Sequence, residues 1–277
     1  MLLEKLACAG NLGGVPFANT AARAPSVLVV IPARLGATRL PHKPLRLLGG
    51  RPLIVRVWER VVAMELSPVV VVATDSPEVV AAVEEAGGHA VLTATSHPSG
   101  TDRIAEVSRH PEFARYEVIV NVQGDEPFVS VDAIRGALAQ VTSGRFPLGT
   151  VSAHAAPDIL ASPNVVKVVA SDEGRALYFS RAPIPFLREA ADATARDLLV
   201  RQHLGIYAYT RAALAEWVAL PEHPLERVER LEQLRPLAAG LAMGVATISE
   251  PPPGGVDTEA DLSRANARWD DLYAGRI

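Results

Sequence analysis

Apolar and polar positions follow one another in blocks along the chain. The first apolar block, 27–31, is a short β-branched run closed by Pro32. That is the pattern of a strand buried on both faces. A polar stretch over 33–50 follows, and Pro52 then opens a predicted helix. Leu53, Ile54, Val57, Trp58 and Val61 lie on one face of it. Residues 68–74 read as a second buried strand. Ser76 and Pro77 supply an N-cap and a first helical residue, and Gly87 and Gly88 end that helix. The pattern next predicts a strand at 89–93, a helix at 101–109, a strand at 117–123 and a helix at 131–141. Strands alternating with helices imply right-handed βαβ units around a parallel sheet.

After residue 145 the rhythm loosens. Apolar runs at 151–154, 165–170 and 205–209 read as strands between irregular segments, so this half is expected to add antiparallel strands to the same sheet. Leu225, Val228, Leu231 and Leu234 mark one apolar helical face, which Pro236 should kink or end. Thr258 and Asp261 stand where a capping box would open the last helix, with Asp in place of the usual Glu. No internal repeat or linker breaks the pattern, so residues 27–277 read as a single domain.

Composition narrows the function classes. The chain has 277 residues, enough for a large core. Its 27 basic and 31 acidic residues leave a net charge of −4, which excludes a broad basic surface for nucleic acid. The single cysteine, Cys8, excludes an internal disulfide or a multi-cysteine zinc site and suits a reducing, cytoplasmic setting. No apolar run is long enough to span a membrane. Glu4 and Lys5 fall where the apolar segment of a secretory leader should begin, and Gly13, Gly14 and Pro16 interrupt the residues after it. Residues 1–26 are therefore expected to form a poorly ordered extension.

Local charge is more informative than the total. The segment IPARLGATRLPHKPL, 31–45, holds Arg34, Arg39 and Lys43 with no acidic residue among them. It leaves the carboxyl end of the first strand, where open α/β sheets bind ligands. Three cations there suit a polyphosphate, and Gly36 allows close backbone approach. On charge alone, a solvated surface loop is an equal reading. The glycine pattern fits neither a Walker A loop nor a dinucleotide fingerprint. Asp125 follows the strand at 117–123 with only Gly124 between, so it should share that sheet edge. Asp257 lies just before a helix cap, and taken alone it reads as a turn residue.

The loop resembles the N-terminal signature of the 3-deoxy-manno-octulosonate cytidylyltransferase (CMP-Kdo synthetase) family. Further matches run in order: VATDSPEV (72–79), HPSGTDRIAEV (97–107), NVQGDEP (121–127), NVVKVV (164–169), ALYFSRAPIP (176–185), HLGIYAY (203–209), LERVERLEQLR (225–235) and GVDTEADL (255–262). The resemblance implies a nucleotide-diphospho-sugar-transferase-like (Rossmann-like) α/β fold. This is a three-layer sandwich with a mixed, mostly parallel central sheet. It implies a CTP-binding lobe at 27–145 and a sugar-binding and dimerisation lobe at 146–277. The implied activity joins CTP to Kdo, giving CMP-Kdo and pyrophosphate for lipopolysaccharide biosynthesis, in a cytoplasmic homodimer that uses Mg²⁺.

By the same resemblance, Ala33, Arg34, Arg39, Lys43, Thr74, Asp75, Ser99, Gly100 and Thr101 would bind the nucleotide. Arg34, Lys43 and Asp125 would be catalytic, and Asp125 and Asp257 would hold the metal. Gln123, Arg181, His203, Tyr207, Glu232 and Gln233 would bind the sugar acid. Taken alone, the same residues also read as turn, cap and core positions. Two positions depart from the family pattern. Gln202 stands where many relatives have a basic residue, and Pro236 interrupts the helix that carries Glu232 and Gln233. Alternatives are a cytidylyltransferase for a related acidic sugar, such as an 8-amino Kdo analogue or a sialic acid, and a non-catalytic nucleotide-binding protein of the same fold.

Overall fold

Residues 25–36 and 39–273 are described by the computed structural model. The expected extension lies outside them up to residue 24. Ser26 already belongs to the fold, because its carbonyl accepts the N–H groups of Glu117 and Val118.

The first half follows the predicted rhythm closely. Strand β1 (Val27–Ala33) is followed by a tight hairpin of β2 (Leu47–Leu48) and β3 (Arg51–Pro52), then α1 (Leu53–Val62). Next come β4 (Val70–Thr74), α2 (Pro77–Glu85), β5 (His89–Leu92), α3 (Gly100–Arg109), β6 (Val118–Asn121) and α4 (Val131–Thr142). The caps work as their chemistry requires: Ser76, Ser99 and Ser130 each accept a backbone N–H from the first turn of α2, α3 and α4.

The second half comprises β7 (Leu148–His154), β8 (Lys167–Ala170), β9 (Ala176–Ser180), α5 (Ala193–Asp197), β10 (Arg201–Thr210), α6 (Arg211–Ala219), α7 (Pro224–Glu229), α8 (Leu234–Ala238), β11 (Met243–Ile248) and α9 (Glu259–Tyr273). The pattern did not predict β9, α6 or β11, and it started β7 and β10 too late. The apolar face through Leu225 and Leu234 is not one helix. Arg230 takes a left-handed φ of 54° and ends α7, which leaves Leu225 and Val228 exposed while Leu231 and Leu234 are buried. Pro236 sits in the first turn of α8, where an N–H has no intrahelical partner to lose. The capping box at α9 is present: Thr258 Oγ1 accepts the Asp261 N–H and Asp261 accepts the Thr258 N–H.

The described residues form a nine-stranded sheet whose main path runs β11–β7–β10–β6–β1–β4–β5, with β8 pairing β10 and β9. β5, β4, β1 and β6 are parallel, β10 runs against β6 and β7, and β7 and β11 are parallel. The sheet is therefore mixed and mostly parallel, as expected, and the stretches 27–145 and 146–277 share it. Side chains alternate across β1. Leu28 and Val30 pack with Ile104, Val107 and Trp217 on one face, and Val29 and Ile31 with Val57, Val79 and Ile134 on the other. Helices thus cover both faces, giving three layers. A third, smaller core gathers Leu40, Leu48, Leu53, Phe128, Val256 and Leu262.

Candidate active site

The chain goes from β1 to β4 on one side and returns to β6 on the other, so the sheet's switch point lies between β1 and β6. Ligands in such sheets bind at the carboxyl ends flanking that point. Gly124 lets the chain leave β6 hard against β1, since a Cβ there would lie 2.7 Å from the Pro32 carbonyl oxygen. The segment before α9 is laid over the same turn. The Val256 N–H donates to the Asp125 carbonyl at 2.8 Å, and a side chain at Gly255 would meet Glu126 and Asp125. Burial of Leu40 beside Arg39, and of Val256 beside Asp257, anchors both strips in the third core.

These contacts bring three distant charges to one point. The Lys43 ammonium donates to Asp125 Oδ2 at 2.6 Å and to Asp257 Oδ1 at 2.9 Å. Arg39 donates to Asp257 Oδ2 at 3.0 Å. Burial disfavours the Lys43 charge, but the Asp125 and Asp257 carboxylates outweigh it and hold its pKa above the ordinary lysine value. Glu126, beside this pair, is pushed up to about 8 by burial and by the Asp125 and Asp257 charges. Two carboxylates sharing one ammonium at the cleft form a hard-oxygen donor set. That set fits Mg²⁺, which commonly takes one or two carboxylates together with substrate phosphates. Among the described residues no cluster of three or more His, Cys, Asp or Glu side chains offers a complete protein cage.

A cleft of about 970 Å³ opens from this point. Ala33, Arg34, Arg39, Lys43, Asp125 and Asp257 line it around that charge centre, and Ser99, Gly100, Gln123 and Glu232 line it beyond. Glu232 accepts the Thr101 hydroxyl at 2.8 Å through one oxygen, while its other oxygen is buried without a partner. Burial raises its pKa.

The remaining expected site residues, Thr101 among them, do not line that cleft. Thr74 is fully buried, and its carbonyl accepts both the N–H and the hydroxyl of Thr93. Asp75 accepts the Leu35 N–H at 3.3 Å and Arg103 at 2.8 Å. The Arg181 guanidinium donates to the carbonyls of Glu229, Pro163 and Arg230. His203 lies 2.9 Å from the Thr150 hydroxyl, packs edge-on to Phe179 and beside Tyr207, and is driven down to about 3 by burial. Burial likewise pushes the Tyr207 hydroxyl well up. Gln233 is buried.

Other lining residues were given no role from the sequence: His97, paired with Glu106; Arg103; and the α7–α8 arginines Arg227, Arg230 and Arg235. Arg235 is neutralised by Glu226 at 2.6 and 2.8 Å. Arg103 left one signal, since it falls four residues before Val107 on the sheet-facing side of α3.

A switch-point cleft with cations at one mouth and paired carboxylates beneath them defines an α/β nucleotide-handling enzyme. Comparison with known proteins narrows the class. The cytidylyltransferase family model matches residues 28–244. A 3-deoxy-manno-octulosonate cytidylyltransferase of Gemmatimonas aurantiaca is 60% identical over 248 residues, covering 90% of this chain and 96% of that protein. One of Polynucleobacter asymbioticus is 48% identical, covering 89% and 96%. The solved structure of a CMP:2-keto-3-deoxy-manno-octonic acid synthetase complexed with CTP superposes with a TM-score of 0.81 at 38% identity, covering 91% of this chain and all of that one. A 4-diphosphocytidyl-2C-methyl-D-erythritol synthase of Anaerococcus prevotii, 16% identical with a TM-score of 0.58 over 89% of this chain and 99% of that one, shares the fold. The chain belongs to the 3-deoxy-manno-octulosonate cytidylyltransferases, a family of nucleotidyltransferases.

Proposed function

We propose that this chain joins CTP to Kdo, releasing pyrophosphate and forming CMP-Kdo for lipopolysaccharide biosynthesis. The observation that carries this reading is the charge centre of Lys43, Asp125 and Asp257 beside Arg34 and Arg39. The names of the relatives support the choice of sugar. In the reaction, the anomeric 2-hydroxyl oxygen of Kdo forms a bond to the α-phosphorus as the bond to the bridging β-phosphate oxygen breaks. The hydroxyl proton passes to solvent. Arg34, Arg39 and Lys43 hold the triphosphate and then the leaving pyrophosphate, so catalysis is mainly positioning and charge neutralisation. Mg²⁺ on Asp125 and Asp257 would supply further charge neutralisation at the α-phosphate and favour ionisation of the attacking hydroxyl. Lys43, bridging those carboxylates in this structure, is placed to turn toward the phosphates.

At the other end, Gln123 and Glu232 offer an amide and a carboxylate to the sugar hydroxyls. Arg181, His203, Tyr207 and Gln233 are assigned to the sugar acid by the family resemblance, and none of them lines the cleft. Backbone and hydroxyl groups of Ser99, Gly100 and Thr101 are assigned to the nucleoside. Use of CTP supports a cytoplasmic setting for the reaction. Among the described residues no helix is long and apolar enough to cross a membrane.

The test is direct: purified protein with CTP, Kdo and Mg²⁺ should release pyrophosphate and form an equal amount of CMP-Kdo. Folded protein that releases none overturns the reading. With an 8-amino analogue or a sialic acid in competition, Kdo should show the highest kcat/KM. A homodimer is supported by exposed apolar side chains on the second half, namely Leu177, Phe186, Leu198, Leu199 and Val228. Light scattering should give twice the 29.4 kDa chain mass, and the chain mass alone would refute the dimer.

A further inference from the structure

Beneath the middle of the cleft lies a buried charge network that the proposed reaction leaves without a task. Arg103, on α3, is only 3% exposed. Its guanidinium donates to Asp75 Oδ2 at 2.8 Å and to the Thr93 hydroxyl, and it forms part of the cleft wall. Asp75 stands at the end of β4 and turns its second oxygen to the Leu35 N–H at 3.3 Å. Leu35 lies between Arg34 and Gly36 in the cationic loop, and Arg103 lies two residues after Thr101 in the turn that lines the cleft from α3. One carboxylate therefore ties the phosphate end of the site to its nucleoside end.

A buried guanidinium is costly unless its charge is paired and its fork is satisfied. Asp75 and Thr93 supply both and fix the plane of the fork. The same carboxylate limits where the loop can begin, so Arg34 starts from a set position when the triphosphate arrives. Pre-setting both ends lowers the ordering cost of binding.

We infer that Asp75 and Arg103 work as one positioning unit for the nucleotide, in which Asp75 sets Arg103 and the cationic loop together rather than touching the substrate itself. The inference rests on CTP being the nucleotide and is read from CTP binding without turnover. Calorimetry with CTP and Mg²⁺, in the absence of sugar, is run on the wild type and on Asp75→Ala, Asp75→Asn, Arg103→Lys and the Asp75→Ala/Arg103→Lys double variant. Asp75→Ala should weaken CTP binding at least tenfold and Arg103→Lys at least fivefold. The double variant should be no worse than twofold below the weaker single, because Arg103 has no set position left to lose once Asp75 is gone. Asp75→Asn keeps an oxygen for the Leu35 N–H and should lose less than Asp75→Ala. If Asp75→Ala fails to fold, Asp75→Asn carries the test with a loss of threefold or more.

In turnover, the KM for CTP should rise while the KM for the sugar acid stays within twofold. A purely structural role would instead lower the active fraction and leave both KM values alone. CTP binding within twofold of wild type in folded Asp75 and Arg103 variants, or losses that simply multiply in the double variant, overturns the inference. A wild type that binds CTP but releases no pyrophosphate overturns the proposed reaction and leaves this inference standing. A wild type that binds no CTP overturns both.

Discussion

At the β1–β6 end of the cleft, Lys43 lies within 2.9 Å of two carboxylates drawn from residues 82 and 214 positions away. At the α7–α8 end, Glu232 holds one orphaned oxygen, and His203 on β10 is buried and held neutral. The first end gathers charge and leaves it partly wet, with the Asp257 side chain 46% exposed. The second pairs its charges, Arg235 with Glu226 and Arg227 with Glu222, and leaves one oxygen of Glu232 unsatisfied. The contrast suits the two substrates: a triphosphate needs solvated cations, whereas a sugar acid needs fixed donors and acceptors for its hydroxyls with cations at hand for its carboxylate.

Substitutions should separate the two ends. Asp125→Asn removes a charge at the first end and should cut turnover about 100-fold or more, while the thermal midpoint moves little. Pyrophosphate release and a melt measure both, and near-normal turnover would break the comparison there. Glu232→Gln keeps the shape but withdraws a charged acceptor. It should raise the KM for the sugar about tenfold and the KM for CTP far less, since the amide oxygen still accepts the Thr101 hydroxyl. An effect on CTP instead would place Glu232 in the wrong half.

Burial at the second end also has a pH signature. His203 is held at about 3 in the fold against 6.5 when unfolded, so the unfolded chain takes up the extra proton. The stabilisation is complete above 6.5 and is lost as the pH falls toward 3. Urea titrations of wild type and His203→Gln, compared so that other titrating groups cancel, should show their stability gap change by about 2 kcal/mol between pH 7 and pH 5, at the expense of the wild type. A constant gap would mean that His203 is not buried neutral. The smallest effect should come from Arg39→Ala. Its side chain is 65% exposed and holds a single carboxylate bond, so kcat/KM should fall less than about tenfold and stability should move less than about 0.5 kcal/mol.

Legibility from sequence divides along the same line. Continuous β-branched runs announced β1, β4 and β6 because strands covered on both faces carry no polar alternation. Ser76 and Thr258 announced helix starts through local cap chemistry. The second half was harder to read. In β9, Leu177 is 58% exposed while Phe179 is buried, so no continuous run marks the strand. The register shift between His203 and Tyr207 interrupts β10. The break at Arg230 left no glycine to announce it. In the site, the cationic loop was visible as local charge, but its pairing with Asp125 and Asp257 depends on Gly124, Gly255 and Val256, whose spacing carries no such meaning before the chain is folded. The Asp75–Arg103 pair was hidden for the same reason, since each partner shows only as one charge near a helix start.

Asp125 and Asp257, brought together by those contacts, are proposed to form a single cation-dependent centre for the triphosphate. Initial rates of pyrophosphate release against Mg²⁺ concentration, for wild type and Asp257→Asn at saturating CTP and Kdo, test it most directly. Half-saturation by Mg²⁺ should move at least tenfold higher in the variant, together with a lower maximal rate. An unchanged Mg²⁺ dependence in folded Asp257→Asn would contradict it.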